Sequence, residues 1–265
     1  MDPAGLPTSL ADFGPAALAA VIVAGYLVVG EPVVGHVLHR RFESRLRREA
    51  GARRSFYLRL LVLEWGLALL TLLVWAAAPD VDAGAVGLRW PTSWPGPVVT
   101  ALTVGLLLFV ALSTRALRGG VLLEAARDDR RRPGDGRHAE PPAQATLALL
   151  PRTPSERRLF TLVGITAGVC EEWLYRGFFL AVVAALAGGA TGWVLVVVAA
   201  VAFGAAHAYQ GIGGIVLTGV LGGVLAALYL STGSLVLPVL LHAVIDLRFL
   251  LVPARVLPTV AGTAR

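Results

Sequence analysis

Six ionisable side chains lie inside apolar stretches of the C-terminal half of this sequence. They are Glu171, Glu172 and Arg176 in CEEWLYRG, His207 in FGAAHAYQ, and His242 with Asp246 in LLHAVIDL. A charge at a bilayer centre costs about 2.5–3.5 kcal/mol on insertion scales, so the first three alone would cost on the order of 8–10 kcal/mol if unpaired. Intramembrane groups of this kind face one another or a water-filled cavity. A carboxylate and an imidazole meeting at a wet cavity form a general-base pair that activates water. A second imidazole with a hydrogen-bonding partner stabilises an oxyanion. Together they outline a hydrolase for acyl or peptide bonds.

Spacing divides the roles. Residues at i and i+4 stack on one helix face, which lets Glu172 reach Arg176 and points His242 and Asp246 the same way. The predicted Glu172–Arg176 pair is mainly structural. Glu171 is turned about 100° from Glu172, so the two carboxylates do not serve one partner equally. Phe203 stands four residues before His207 and supports it. Taken singly, His207 suits an interfacial helix end, and Asp246, close to Arg248, suits a membrane boundary. The arrival of such groups on three separate helices argues for a site. Cys170 reads as a small apolar filler, and Glu64 has no assigned partner. Glu171, His207, His242 and Asp246 are numerous enough as donors for zinc. No HExxH motif is present, and Arg176 brings positive charge beside the glutamates. The expectation is therefore a site with no cofactor, in which zinc remains an open alternative.

The elements that must position these groups are membrane helices. The chain of 265 residues is 56% hydrophobic and only 15% charged, against about 25% charged in soluble domains, and its mean hydropathy is +0.73. Apolar residues come in blocks of spanning length. Seven spans are predicted at 14–34, 58–78, 97–114, 159–186, 190–208, 212–231 and 235–253, an all-α polytopic bundle. Arginine is concentrated in the 35–57 and 115–158 connections, whereas 1–13, 79–96, 187–189 and 232–234 carry only Arg89. The positive-inside rule then puts the N-terminus outside and the C-terminus in the cytoplasm. The first apolar segment lacks a basic region before it and reads as a retained span. The domains expected are N-terminal helices over 1–114, a cytoplasmic linker over 115–158, a catalytic core over 159–253 and a tail over 254–265. Arginines confined to loops fit topology better than nucleic-acid binding. The partners expected are the lipid bilayer and a peptide or protein substrate. Gly219 and Gly223 stand at GxxxG spacing and predict close helix packing, not a phosphate loop.

One geometric condition follows. Glu171 lies 13 residues after Arg158, about 20 Å along a helix, whereas His207 sits near the end of its own span. They meet only if the glutamate's helix tilts or starts well below the membrane.

EEWLYR fits an EExxxR pattern, FGAAH fits FxxxH, and HAVID fits HxxxN with aspartate in the last place. In this order and with these gaps, residues 149–250, including the lead-in LLPRTPSERRLF, resemble the CAAX protease and bacteriocin-processing family of intramembrane glutamic endopeptidases. The resemblance implies that Glu171 and His207 activate water and that His242 and Asp246 form the oxyanion site. Aspartate departs from the family's asparagine. An ionised Asp246 would repel an oxyanion, so it either carries a proton or orients His242 by accepting its N–H. The family name suggests prenylated tails, but a sequence whose 23 basic residues are all arginine looks bacterial, which points to peptide maturation, regulated processing or immunity in a multi-pass cell-membrane protein. The alternatives are a non-catalytic scaffold, regulator or immunity protein that keeps the fold, and a transporter, for which interrupted helices in repeated halves are missing.

Overall fold

The computed structural model describes residues 5–46, 48–49, 51–121, 149–189 and 191–257, and all regular structure among them is helical. A 3-10 turn, Leu10–Ala16, leads into α1 (Ala17–Gly25), which continues through a π-helical turn at Tyr26–Gly30 into α2 (Glu31–Leu46). Next come α3 (Ala52–Ala76) and α4 (Pro97–Arg118). The second group opens with α5 (Pro154–Glu172), a π-helical segment at Trp173–Phe179 and α6 (Leu180–Leu186) in one unbroken rod. It closes with α7 (Gly192–Ala206), α8 (Gly211–Thr232) and α9 (Val236–Leu247). Most of the expected 115–158 linker, residues 122–148, and of the expected tail, residues 258–265, lies outside the described residues.

Four helical stretches are long and apolar enough to cross a membrane: Leu10–Leu46, Ala52–Ala76, Pro97–Arg118 and Ala208–Thr232. The protein is thus read as a multi-pass membrane protein. The other three predicted spans are helical but differ in kind. The first carries Glu171, Glu172 and Arg176 at its middle, and α7 and α9 have only 15 and 12 residues.

Local chemistry explains where the key helix starts. The Thr153 hydroxyl accepts the Glu156 N–H at 3.2 Å, and the Glu156 carboxylate accepts the Thr153 N–H at 3.1 Å. With Pro154 at the first helical position, this capping box satisfies donors that the helix start leaves open. At the opposite end of the bundle, Arg89 donates from Nε to the Gly233 carbonyl at 2.9 Å. The one basic residue of the 79–96 loop therefore neutralises a helix C-terminus.

Small residues set the packing register. An added Cβ at Gly168 would lie 2.9 Å from Ala243 Cβ, and at Gly164 it would lie 3.2 Å from Leu247. These contacts bring α5 and α9 together side by side, with Glu171 and Glu172 one turn further on, at the level of His242. Arg157 near the start of α5 reaches the Leu250 carbonyl, so α5 begins beyond the end of α9. The α3 helix is tied to the same rod by Trp65 Nε1 on Thr166 Oγ1 at 3.1 Å and Trp173 Nε1 on Thr71 Oγ1 at 2.7 Å.

The α7–α8 pair packs through glycine, as the GxxxG spacing predicts: Gly219 lies against the Ala200 carbonyl and Gly223 against the Ala200 side chain. Gly204 is the tightest point, since a Cβ there would sit 2.6 Å from the Ile215 carbonyl oxygen. Gly204→Val is expected to separate the two helices at a cost of about 1–3 kcal/mol. Thermal unfolding in detergent checks this, with Gly105→Ala, whose added methyl meets nothing within 4 Å, as the neutral control.

Candidate functional site

Glu171, His207, His242 and Asp246 all line one cavity of about 770 Å³. Its walls come from α1, α2, α3 and α4 of the first group and from α5, α7, α8 and α9 of the second, and most of the lining residues are apolar.

The hub of the polar cluster is Glu172, fully buried with Arg176. Its Oε1 accepts from Arg176 Nη1 at 2.9 Å and pairs with His242 Nδ1 at 2.7 Å. Arg176 also donates from Nη2 to the Gly222 carbonyl at 3.1 Å and lies 4.4 Å over the Phe203 ring centroid. The guanidinium is thus met by a carboxylate, a carbonyl and a π-face. The expected Glu172–Arg176 pair is present. Its extension to His242 is the part that sequence reasoning missed: Glu172, not Asp246, accepts the His242 Nδ1–H. Helical phase separates two adjacent glutamates, but only tertiary packing chooses which one faces α9.

That choice sets the chemistry of His242. With Nδ1 held by Glu172, Nε2 is the atom left facing the cavity, 3.9 Å from Glu171 Oε2 and 3.8 Å from Asp246 Oδ2. His207 is held in an analogous way. It ends α7, where the last carbonyls lack helical partners, and its Nδ1 lies 2.9 Å from the Phe203 carbonyl oxygen. A carbonyl only accepts, so Nδ1 carries the proton, and the neutral ring keeps its lone pair on Nε2. Phe203 packs between the two imidazoles, with ring centroids 4.7 Å from His207 and 5.8 Å from His242. Cys170 is buried, in keeping with a packing role.

Glu171 Oε2 is shielded from solvent without a hydrogen-bond partner. Glu172 Oε1 is taken up by Arg176 and His242, and among the described residues no group of three or more His, Cys, Asp or Glu side chains is placed to hold a metal ion in this conformation. Two acidic residues from the N-terminal helices, Glu31 and Glu64, also line the cavity. Glu64, unassigned by the sequence, is placed here. A glutamate alone in an apolar span was the signal for it, but nothing in the sequence pairs α3 with α5.

Residues 154–248 match the family model described as type II CAAX prenyl endopeptidase Rce1-like. The match runs from the first residue of α5 to the residue after α9 and includes all six ionisable residues of the three motifs. No curated protein and no solved structure matches the chain.

Proposed function

From the premise that residues 154–248 form a domain of the Rce1-like, CAAX-processing protease family, we propose that this protein is an intramembrane endopeptidase that works by Glu/His-activated water. The observation that carries this reading is the convergence of Glu171, His207 and His242, from three helices, on one cavity. Water held between Glu171 and His207 Nε2 loses a proton to that pair as its oxygen attacks the peptide carbonyl carbon. The C=O π-bond opens to an oxyanion, which accepts a hydrogen bond from His242 Nε2–H. The ring then carries both protons, Nδ1–H on Glu172 and Nε2–H on the oxyanion, and its positive charge is met by the oxyanion as it forms. Collapse re-forms the carbonyl and breaks the C–N bond, and the proton taken from water passes to the leaving amine. Asp246, beside Nε2, holds the ring's outer edge as a carboxyl group or through water.

The cavity reaches the end of the bundle that carries Tyr57, Leu149 and Phe249. This is the arginine-rich end, which the positive-inside rule makes cytoplasmic. At the other end Trp90, Trp94 and Trp193 are largely exposed, as in an interfacial aromatic belt. The reading is a seven-span protein with the N-terminus outside, in a bacterial plasma membrane, that cleaves peptide bonds near the cytoplasmic face. The test is purified full-length protein in lipid nanodiscs, incubated with membrane-anchored peptides and followed by mass spectrometry. Products that appear with the wild type and not with Glu171→Gln are expected. Products in equal amount from both would overturn the proposal.

A further inference from the structure

The N-terminal helices bring a second acidic pair to the cavity, and the fold builds the position of each member. At Tyr26–Gly30 the backbone winds as a π-helix, and the Glu31 N–H bonds the Tyr26 carbonyl five residues back. This winding stacks residue 31 on residue 26, and both side chains line the cavity. Gly30 is required for it, because a Cβ there would lie 2.2 Å from the Tyr26 ring. The π turn abuts the second π segment of the molecule, where the Tyr175 hydroxyl reaches the Leu27 carbonyl at 3.5 Å. Single π turns are frequent at functional sites. Across from it, Glu64 lines the cavity from α3, with its Oε2 shielded from solvent and without a hydrogen-bond partner. The carboxyl groups near enough to act on Glu64 are Glu171, Asp246 and Glu31.

The cationic groups on the cavity wall are engaged elsewhere. His39 pairs with Glu43 at 3.1 Å, His242 with Glu172, and His207 with the Phe203 carbonyl. Arg248 donates to Ser113 Oγ at 3.2 Å and stacks on Phe249. Among the described residues neither Glu31 nor Glu64 forms an ion pair. Half-buried carboxyl groups that line an apolar cavity without an ion pair favour a cation.

We propose that Glu31 and Glu64 form a recognition site for a cationic side chain, and that the substrate places an arginine or lysine there, beside the bond that Glu171 and His207 cleave. The substrate assignment rests on the endopeptidase reading; the cation site does not. A basic side chain fits both halves of this surface. Its methylene stem lies along apolar wall residues such as Leu63 and Leu67, and its charged head meets the two carboxylates. An inorganic cation such as calcium would need six or more oxygen ligands, which two carboxylates and a tyrosine do not supply.

Two arms test the proposal and the reading beneath it separately. In the first, full-length Glu171→Gln protein in zwitterionic nanodiscs is titrated with octylguanidinium and with octanol, and thermal unfolding is followed. Octylguanidinium alone is expected to raise the midpoint, and the rise is expected to vanish when Glu31→Gln and Glu64→Gln are added. Equal shifts from both probes, or a shift that survives the two added substitutions, would overturn the cation site. In the second arm, a peptide cleaved by the wild type is compared with its norleucine counterpart at each basic position near the cut. Wild-type kcat/KM is expected to fall about tenfold or more at one position. The ratio of the two peptides is expected to approach one in Glu64→Gln. A ratio near one in the wild type would overturn the substrate assignment. Guanidinium binding without any Glu171-dependent cleavage would leave the site standing and remove the endopeptidase reading.

Discussion

Arg176→Ala is expected to remove most of the folded protein from membranes, and to do so far more severely than Glu171→Gln. The guanidinium is completely buried and is held by Glu172, the Gly222 carbonyl and the Phe203 ring. Deleting it leaves the Glu172 carboxylate in an apolar interior with His242 as its one remaining partner, and opens an unfilled space beside the Gly222 carbonyl. Breaking a buried pair from one side costs about 3–5 kcal/mol, a large share of the 5–15 kcal/mol that holds a typical domain folded. Glu171→Gln keeps shape and volume, and Glu171 Oε2 has no hydrogen bond to lose. The check is the yield of monodisperse protein after extraction, together with thermal unfolding of whatever is recovered. Wild-type yield and midpoint in Arg176→Ala would show that the pair is dispensable.

The second large effect is catalytic. Glu171→Gln and His207→Ala are each expected to lower turnover by about 10²–10⁴-fold, the usual contribution of a positioned general base. Folded yield is expected to hold for the glutamine variant. Extensive chelation is expected to leave wild-type activity in place. The expectation rests on Glu172, whose Oε1 is committed to Arg176 and His242, and on the positive charge that Arg176 brings beside the glutamates. A carboxylate and a neutral imidazole with its lone pair turned to the cavity are enough to polarise water. Activity lost on chelation and restored by stoichiometric zinc would refute the metal-free mechanism.

The parts of the molecule legible in the sequence follow helical geometry. The 172/176 and 242/246 pairs appear where i, i+4 spacing puts them, and Gly219 and Gly223 pack α8 on α7. What was not legible depends on the azimuth of one helix against another. No spacing rule says that Gly164 and Gly168 seat α9 so that Glu172, not Glu171, meets His242. Nor does any rule place Glu31 and Glu64 opposite the motifs, because that depends on how α2 and α3 lean on the rod. The π winding at Tyr26–Gly30 was also out of reach, since an ordinary α-helical period would have turned Tyr26 away from Glu31.

Because Oε1 of Glu172 serves both Arg176 and His242, three of the six motif residues answer to folding as well as to the proposed turnover. A descendant that abandoned catalysis would be free to lose Glu171 and His207 by drift, while purifying selection for a foldable chain would still keep Glu172, Arg176 and their imidazole partner. Persistence of the arginine in a distant homologue is therefore evidence of shared ancestry, and only the pair at positions 171 and 207 discriminates a working enzyme from a retired one.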